Sequence, residues 1–483
     1  MRKRLAALIA AAIVPALTFA TPAHARTPYP YKLIDLGTFG GPSSFPQLPA
    51  IPITSNGTVL GYADTPARDR DWPHCFACQD PFIQHAFAWR DGQLTDLGAL
   101  PGGNSSNISE LNGHGVGVGI SENGRTDPHT GGAAAVAVMF KNGKVISLGT
   151  LPGGALSAAA DINGQGQVAG NSTNGTPNPF PDPYGIFFMA RGTEQRGFVW
   201  RHGVMHDLGT LGGPDTLQYT QNNRGQIIGA SYTNNTPNPS TGIPTIDPYL
   251  WQHGHMTDLG TLGGTLGVAN WINNQGDVVG QSDLVGDNSA LPFLWKNGHM
   301  IKLPTLGGGG GANWISQQGD VAGYQFPPPH HGNYHFRGFL WRHGKMTDLP
   351  PVGGAAWAFG NGVNDHGQVV GNETDTNGNE VIAVLWSGGH GYDLNTLVAP
   401  NPLQMISADY INNRGDIFGH GVLPNGDQRV ILLIRNPGVP LPPASTPARP
   451  LPAITGPPDR SISVILALHA AHRGPTPVPS ARH

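Results

Sequence analysis

Three strings within residues 256–298 decide the fold: MTDLGTLGG at 256–264, INNQGDVVG at 272–280 and FLWKNG at 293–298. Each is a short run of branched or aromatic residues ended by glycine, the pattern of strands and tight turns rather than the 3.6-residue spacing of a helix. The pair Asn297 and Gly298 signals a two-residue hairpin, because both central positions of that turn need φ above zero. Working outward, the same strings return along the chain. The leucine of the D-L-G element recurs at Leu36, Leu97, Leu148, Leu208, Leu259, Leu303, Leu349 and Leu394. The mean spacing of about 51 residues fits four short strands per repeat, the size of a propeller blade. The turn glycine of I-N-x-x-G recurs at 57, 115, 166, 225, 276, 319, 367 and 415, and a second glycine follows each by four residues.

The four strand types occur eight times each but start out of phase. Residues 31–36 are a lone fourth-type strand at the N-terminus, whereas the last repeat, 406–435, has three strands and stops. Complementary ends of this kind remove the open sheet edges of an array by pairing the first strand with the last blade. The expected architecture is all-β: a propeller of eight four-stranded blades, its ring closed by the N-terminal strand. An open solenoid or two smaller propellers are the alternatives, and no linker interrupts the repeats to favour them. The organisation reads as a signal peptide over 1–25, the propeller over 26–435, and a Pro-rich tail over 436–483 that carries no repeat.

Composition agrees. The chain has 483 residues with 70 Gly, 45 Pro and only five Glu, which excludes a mainly helical protein. A net charge of −4 with 12% charged residues excludes the basic footprint of a nucleic-acid binder. Arg2, Lys3 and Arg4, an apolar run to Ala20 and the small-x-small site ending at Ala25 read as a secretory signal cleaved near Ala25. The mature chain is then expected to be secreted, periplasmic or at the cell surface, with no transmembrane segment and as a monomer. In that compartment Cys75 and Cys78 are expected to form a small disulfide.

The strings HAFAW at 85–89, MTDLGTLGG at 256–264 and INNQGDVVG at 272–280 resemble the repeats of the extracellular HAF-repeat family of bacterial proteins. The resemblance covers essentially all of 31–435 and implies an exported, propeller-forming repeat protein; it brings no catalytic residues with it. Only the first repeat has the literal His-Ala-Phe, and the second and eighth lack its tryptophan.

Two features suggest where a ligand could bind. The loops between second and third strands vary widely, the longest being 62–84 and 171–196, so binding is expected on that loop face. Just before the repeated I-N position stand Pro52, Glu110, Asp161, Thr220, Trp271, Trp314, Gly362 and Tyr410, on the opposite side of the strand from their apolar neighbours. Trp271, Trp314 and Tyr410 could stack on sugars while Glu110 and Asp161 accept hydrogen bonds, although packing between blades explains the same column. The tryptophans of the F-L-W strands read as core. No hydrolase, nucleotide or zinc motif occurs, so no catalytic residue, metal site or cofactor is assigned. The segment 375–380 spaces oxygens as calcium loops do but reads better as a hairpin, and His330, His331 and His335 have no reason to converge on a metal. The leading expectation is a binding module for a glycan, an envelope component or a protein. A polysaccharide-active hydrolase or lyase using Glu110 and Asp161, and a structural spacer, are the alternatives.

Overall fold

The computed structural model describes residues 28–443 except 48–50, 76–77, 181–185, 187–188, 190–191, 240, 329–334 and 376. Residues 1–25, most of the Pro-rich tail, and His330 and His331 therefore lie outside the described residues. The described chain is all β apart from one 3-10 turn at Leu394–Thr396. Six sheets have four strands each, and a seventh has eight, its two halves joined as strands by the single parallel pair Ile246 and Leu266. Within each set of four the strands follow one another antiparallel, as in the fifth repeat: Gly263–Ile272, Val278–Leu284, Ala290–Lys296 and His299–Lys302. First strands of consecutive repeats lie against one another while fourth strands seldom meet, so the sheets fan out from a common inner edge in a propeller-like arrangement.

The last sheet takes its strands from both ends of the chain. Gln404–Ile411, Ile417–Val422 and Gln428–Arg435 are joined by Tyr31–Asp35, which runs antiparallel to the outermost of them with Lys32 opposite Ile434 and Leu33 opposite Leu433. The first repeat has the shortest inner strand, Ser44–Phe45, supplemented by a lone bridge between Ile53 and Val59.

Local chemistry explains these elements. The hairpins into the fourth strands carry two consecutive positive φ angles, for example 52° at Asn297 and 82° at Gly298, as their residue types require. In every repeat but the first, the second glycine faces a bulge in the inner strand of its own sheet. Gly280 pairs with Ala269, and the register then skips Asn270 to resume at Trp271. A Cβ on Gly280 would strike the Val268 carbonyl and the Phe293 ring. The same skip recurs at Ser109, Ala160, Tyr219, Asn313, Asn361 and Asp409. The core lies between successive sheets, where Phe87, Phe198, Phe293 and Phe339 are fully buried and Trp89, Trp251 and Trp386 nearly so. One cluster, including Val59 and Phe87 with Phe418 and Leu432, packs the first sheet against the last.

Candidate functional site

The repeated asparagine of I-N-x-x-G is a structural staple. Asn222 Oδ1 accepts the N–H groups of Arg224 at 3.0 Å and Gln226 at 3.1 Å, closing its own turn, and Nδ2 donates to the Asn273 carbonyl of the next repeat at 2.9 Å. Asn112 reaches the Asn163 carbonyl and Asn364 the Asn412 carbonyl in the same way. The skipped asparagines of the bulges add a second set of cross-sheet bonds, from Asn270 to Ala312 O at 2.9 Å and from Asn313 to Gly360 O at 3.0 Å.

Residues one or two places after each staple form a lace across the same end of the molecule. The Gly164 N–H donates to Asn223 Oδ1 at 3.2 Å, Asn223 to Asn274 Oδ1 at 3.0 Å, and Asn274 to Gln317 Oε1 at 3.0 Å. Gln318 then donates to Asp365 Oδ1 at 3.2 Å, and Asp365 to Asn413 Oδ1 at 3.0 Å. Among the described residues the lace stops there. The next turns carry Ser55, Gly113 and Gly164, too short to supply the following acceptor.

Where the lace is open there is a cavity of about 620 Å³. Its walls include Ser55, Gly113, Asn413 and Arg414 at the mouth, with Glu110 and Tyr410 deeper in. It opens among the short turns between first and second strands, at the end opposite the long loops. At that other end the 62–84 loop packs on its neighbour. Asn104 Nδ2 donates to Asp69 Oδ1 at 3.0 Å, and the Ala133 N–H donates to His74 O at 3.0 Å, docking the 62–84 loop on the second repeat. Cys75 and Cys78 are disulfide-bonded within that loop, with Cα atoms 5.8 Å apart.

The column before the I-N position splits into two groups. The Trp271 and Trp314 rings stack with centroids 3.5 Å apart, and Trp314 meets Tyr410 edge-on at 5.6 Å, reaching across the repeat that has Gly362 in the column. Trp271 is buried at 7% exposure and neither tryptophan lines the cavity, so they face each other rather than offering two open platforms. Glu110 accepts the Ile162 N–H at 2.8 Å, and Asp161 accepts Gln218 Nε2 at 2.6 Å. Burial pushes both carboxyls up: Glu110 rises well above the usual carboxylate range, further raised by neighbouring Asp161, while Asp161 reaches about 7 against the pull of Gln218. The Tyr410 hydroxyl rises to about 12 through burial. Of the predicted binding residues, Glu110 and Tyr410 thus share a cavity, Asp161 couples to it through Glu110, and the tryptophans form a separate plug.

Elsewhere, Asp375 Oδ1 accepts the N–H groups of Asn377 at 2.8 Å and Asn379 at 2.9 Å, so this carboxylate closes a hairpin. Among the described residues no three His, Cys, Asp or Glu side chains are placed to hold a metal ion. His420 lies buried between Glu380, 2.8 Å from its Nε2, and Asp409, 3.1 Å from its Nδ1. Nothing in the repeat pattern singled it out, because the position varies among tyrosine, isoleucine, asparagine, alanine and glutamine in the other repeats.

Fan-like sheets around an inner edge define an all-β, propeller-like repeat protein. No family model and no curated protein matches the chain. Among solved structures it is similar to the β-propeller domain of the Trilobed protease from Pyrococcus furiosus, at 8% identity and TM-score 0.39 over 68% of this chain and 95% of that one. It is also similar to the Pyrococcus horikoshii acylaminoacyl peptidase, at 12% identity and TM-score 0.41 over 80% of this chain and 59% of that one. A gluconolactonase from Xanthomonas campestris gives 12% identity and TM-score 0.27 over 56% and 83%. No helix among the described residues is long and apolar enough to cross a membrane.

Proposed function

We propose that this protein is an exported binding module of the HAF-repeat type, an eight-bladed propeller closed by its N-terminal strand, which holds a hydroxyl-rich ligand of the glycan class in the cavity at its turn end. The observation that carries the reading is that cavity: about 620 Å³, within the range of small-molecule sites, with a carboxyl, a tyrosine ring and polar turn residues converging on it. Polar hydrogen-bonding groups around an aromatic face suit a pyranose, which has both hydroxyls and an apolar face. Ring closure is supported by a repeated contact. Ser106 Oγ accepts the Ala86 N–H of the preceding repeat at 3.0 Å, Ser157 accepts that of Ala137 at 2.8 Å, and Ser44 accepts that of Val430 in the last repeat at 3.0 Å.

Calorimetric titration of the purified protein with neutral and acidic disaccharides tests the reading. Binding that weakens at least fivefold in Glu110→Gln, with the fold intact, is the expected result; no binding by any saccharide would overturn it. A second reading, a saccharide hydrolase or lyase, is favoured by one feature alone, the two coupled carboxyls whose neutral forms burial favours. Cleavage of the titrant during the same experiment would distinguish it from binding alone.

A further inference from the structure

The geometry points to a carboxylate as the group the cavity mouth selects, so that, within the glycan-binding reading, we propose a uronate-type acidic saccharide as the ligand. The argument rests on the open part of the lace. At five junctions, a turn N–H is met by a side-chain oxygen from the next repeat: Asn223, Asn274, Gln317, Asp365 and Asn413 supply it in turn. At the remaining three, the counterpart donors are the N–H groups of Asn413, Ser55 and Gly113, and none has a protein acceptor among the described residues. All three residues line the one cavity.

A ligand placed there has to supply what the missing side chains supply elsewhere, which is acceptor oxygen. Asp365 shows that a carboxylate fits this role, since its Oδ1 takes the Gln318 N–H at 3.2 Å. A carboxylate brings two acceptors and no competing donor, whereas a hydroxyl brings both. Arg414 strengthens the choice. Its Nε is engaged by Asp416 at 2.9 Å, but its two terminal nitrogens have no partner among the described residues and stand at the same mouth. Hydrogen bonds to an ionised acceptor are stronger than neutral ones. Deeper in, burial and Asp161 favour the neutral form of Glu110, so the floor does not set a full negative charge against an anionic guest. Tyr410 beside it offers the ring for the saccharide body.

The sequence carries the same mark. The lace position holds Asn, Gln or Asp in repeats four to eight and Ser, Gly and Gly in repeats one to three. Gly113 has open space around a would-be Cβ, and at Gly164 the nearest atom is Asn223 Oδ1 at 3.7 Å, so neither glycine is required by packing.

The test compares cellobiouronate with cellobiose, which differ only in a carboxylate against a hydroxymethyl group, on the intact protein and on two variants. Cellobiouronate is expected to bind about tenfold tighter, the scale of one charge-assisted hydrogen bond. The Gly113→Asn/Gly164→Asn variant restores acceptors at two open junctions and should lose that preference. Arg414→Gln, which leaves the lace untouched, should reduce it, and decides the matter if the double variant fails to fold. Equal affinities for the two sugars would overturn carboxylate selection while leaving glycan binding standing. No binding of either would overturn both.

Discussion

His420 shows how much a single position departs from its repeat. Burial alone would push its pKa down, but the Glu380 and Asp409 carboxylates on either side carry it up to about 10. A histidine whose folded value lies above its ordinary 6.5 contributes stability that is complete below about pH 6.5 and is lost as pH rises through about 10. His420→Gln should therefore cost about 3 kcal/mol at pH 6, since it leaves two carboxylates unpaired in the interior, and cost little at pH 10.5. Thermal melts of both proteins across this range check the convergence. Glu110 works in the opposite sense. Its folded carboxyl titrates above its unfolded one, so the protein loses stability as pH rises from about 4, where the unfolded chain begins to ionise. Glu110→Gln keeps an oxygen for the Ile162 N–H and removes the charge. The melting temperature should rise at pH 8 and stay unchanged at pH 4, and a variant less stable than the parent at both values would refute this account.

At the scale of the elements, the turns matter more than the strands. The Asn222 side chain makes three bonds within its turn and one to the next repeat, so Asn222→Ala should cost about 2 kcal/mol, read as a lowered denaturant midpoint with an unchanged slope. Strands, hairpins and their order were legible in the sequence because alternation and the Asn-Gly and His-Gly turns have local causes. The bulges were legible only as a recurring glycine, since the crowding of Gly280 by the Val268 carbonyl depends on how the strand opposite runs. The column containing Glu110, Trp271 and Tyr410 was found from periodicity. Its division into a stacked plug and a cavity was not, because it depends on Trp314 reaching over Gly362 to Tyr410. The cavity at the turn end was not legible either. Loop length was the only available signal, and it points to the opposite end, where the 62–84 loop docks on the second repeat.

At the scale of the whole molecule, the proposed ring depends on five residues. Tyr31–Asp35 covers the outer edge of the last sheet, with Tyr31 only 2% exposed and Lys32 standing opposite Ile434 on the partner strand. If this pairing closes the ring, it is also the place where unfolding would start, because no covalent connection links Asp35 to its partner strand except the whole length of the repeats. A crosslink there should act on the entire chain. In Lys32→Cys/Ile434→Cys the two thiols would face each other across an antiparallel pair, a separation compatible with a disulfide. The bond would close a loop of several hundred residues, and restricting so long a loop in the unfolded chain stabilises the fold by about 5 kcal/mol. Oxidised protein should therefore melt in a single transition well above the reduced form, with faster migration on non-reducing gels after denaturation. Thiols that stay free under oxidising conditions would show that the N-terminal strand does not occupy this edge in solution, and the array would then be open. A disulfide that forms without raising the melting temperature would place the first step of unfolding elsewhere in the ring.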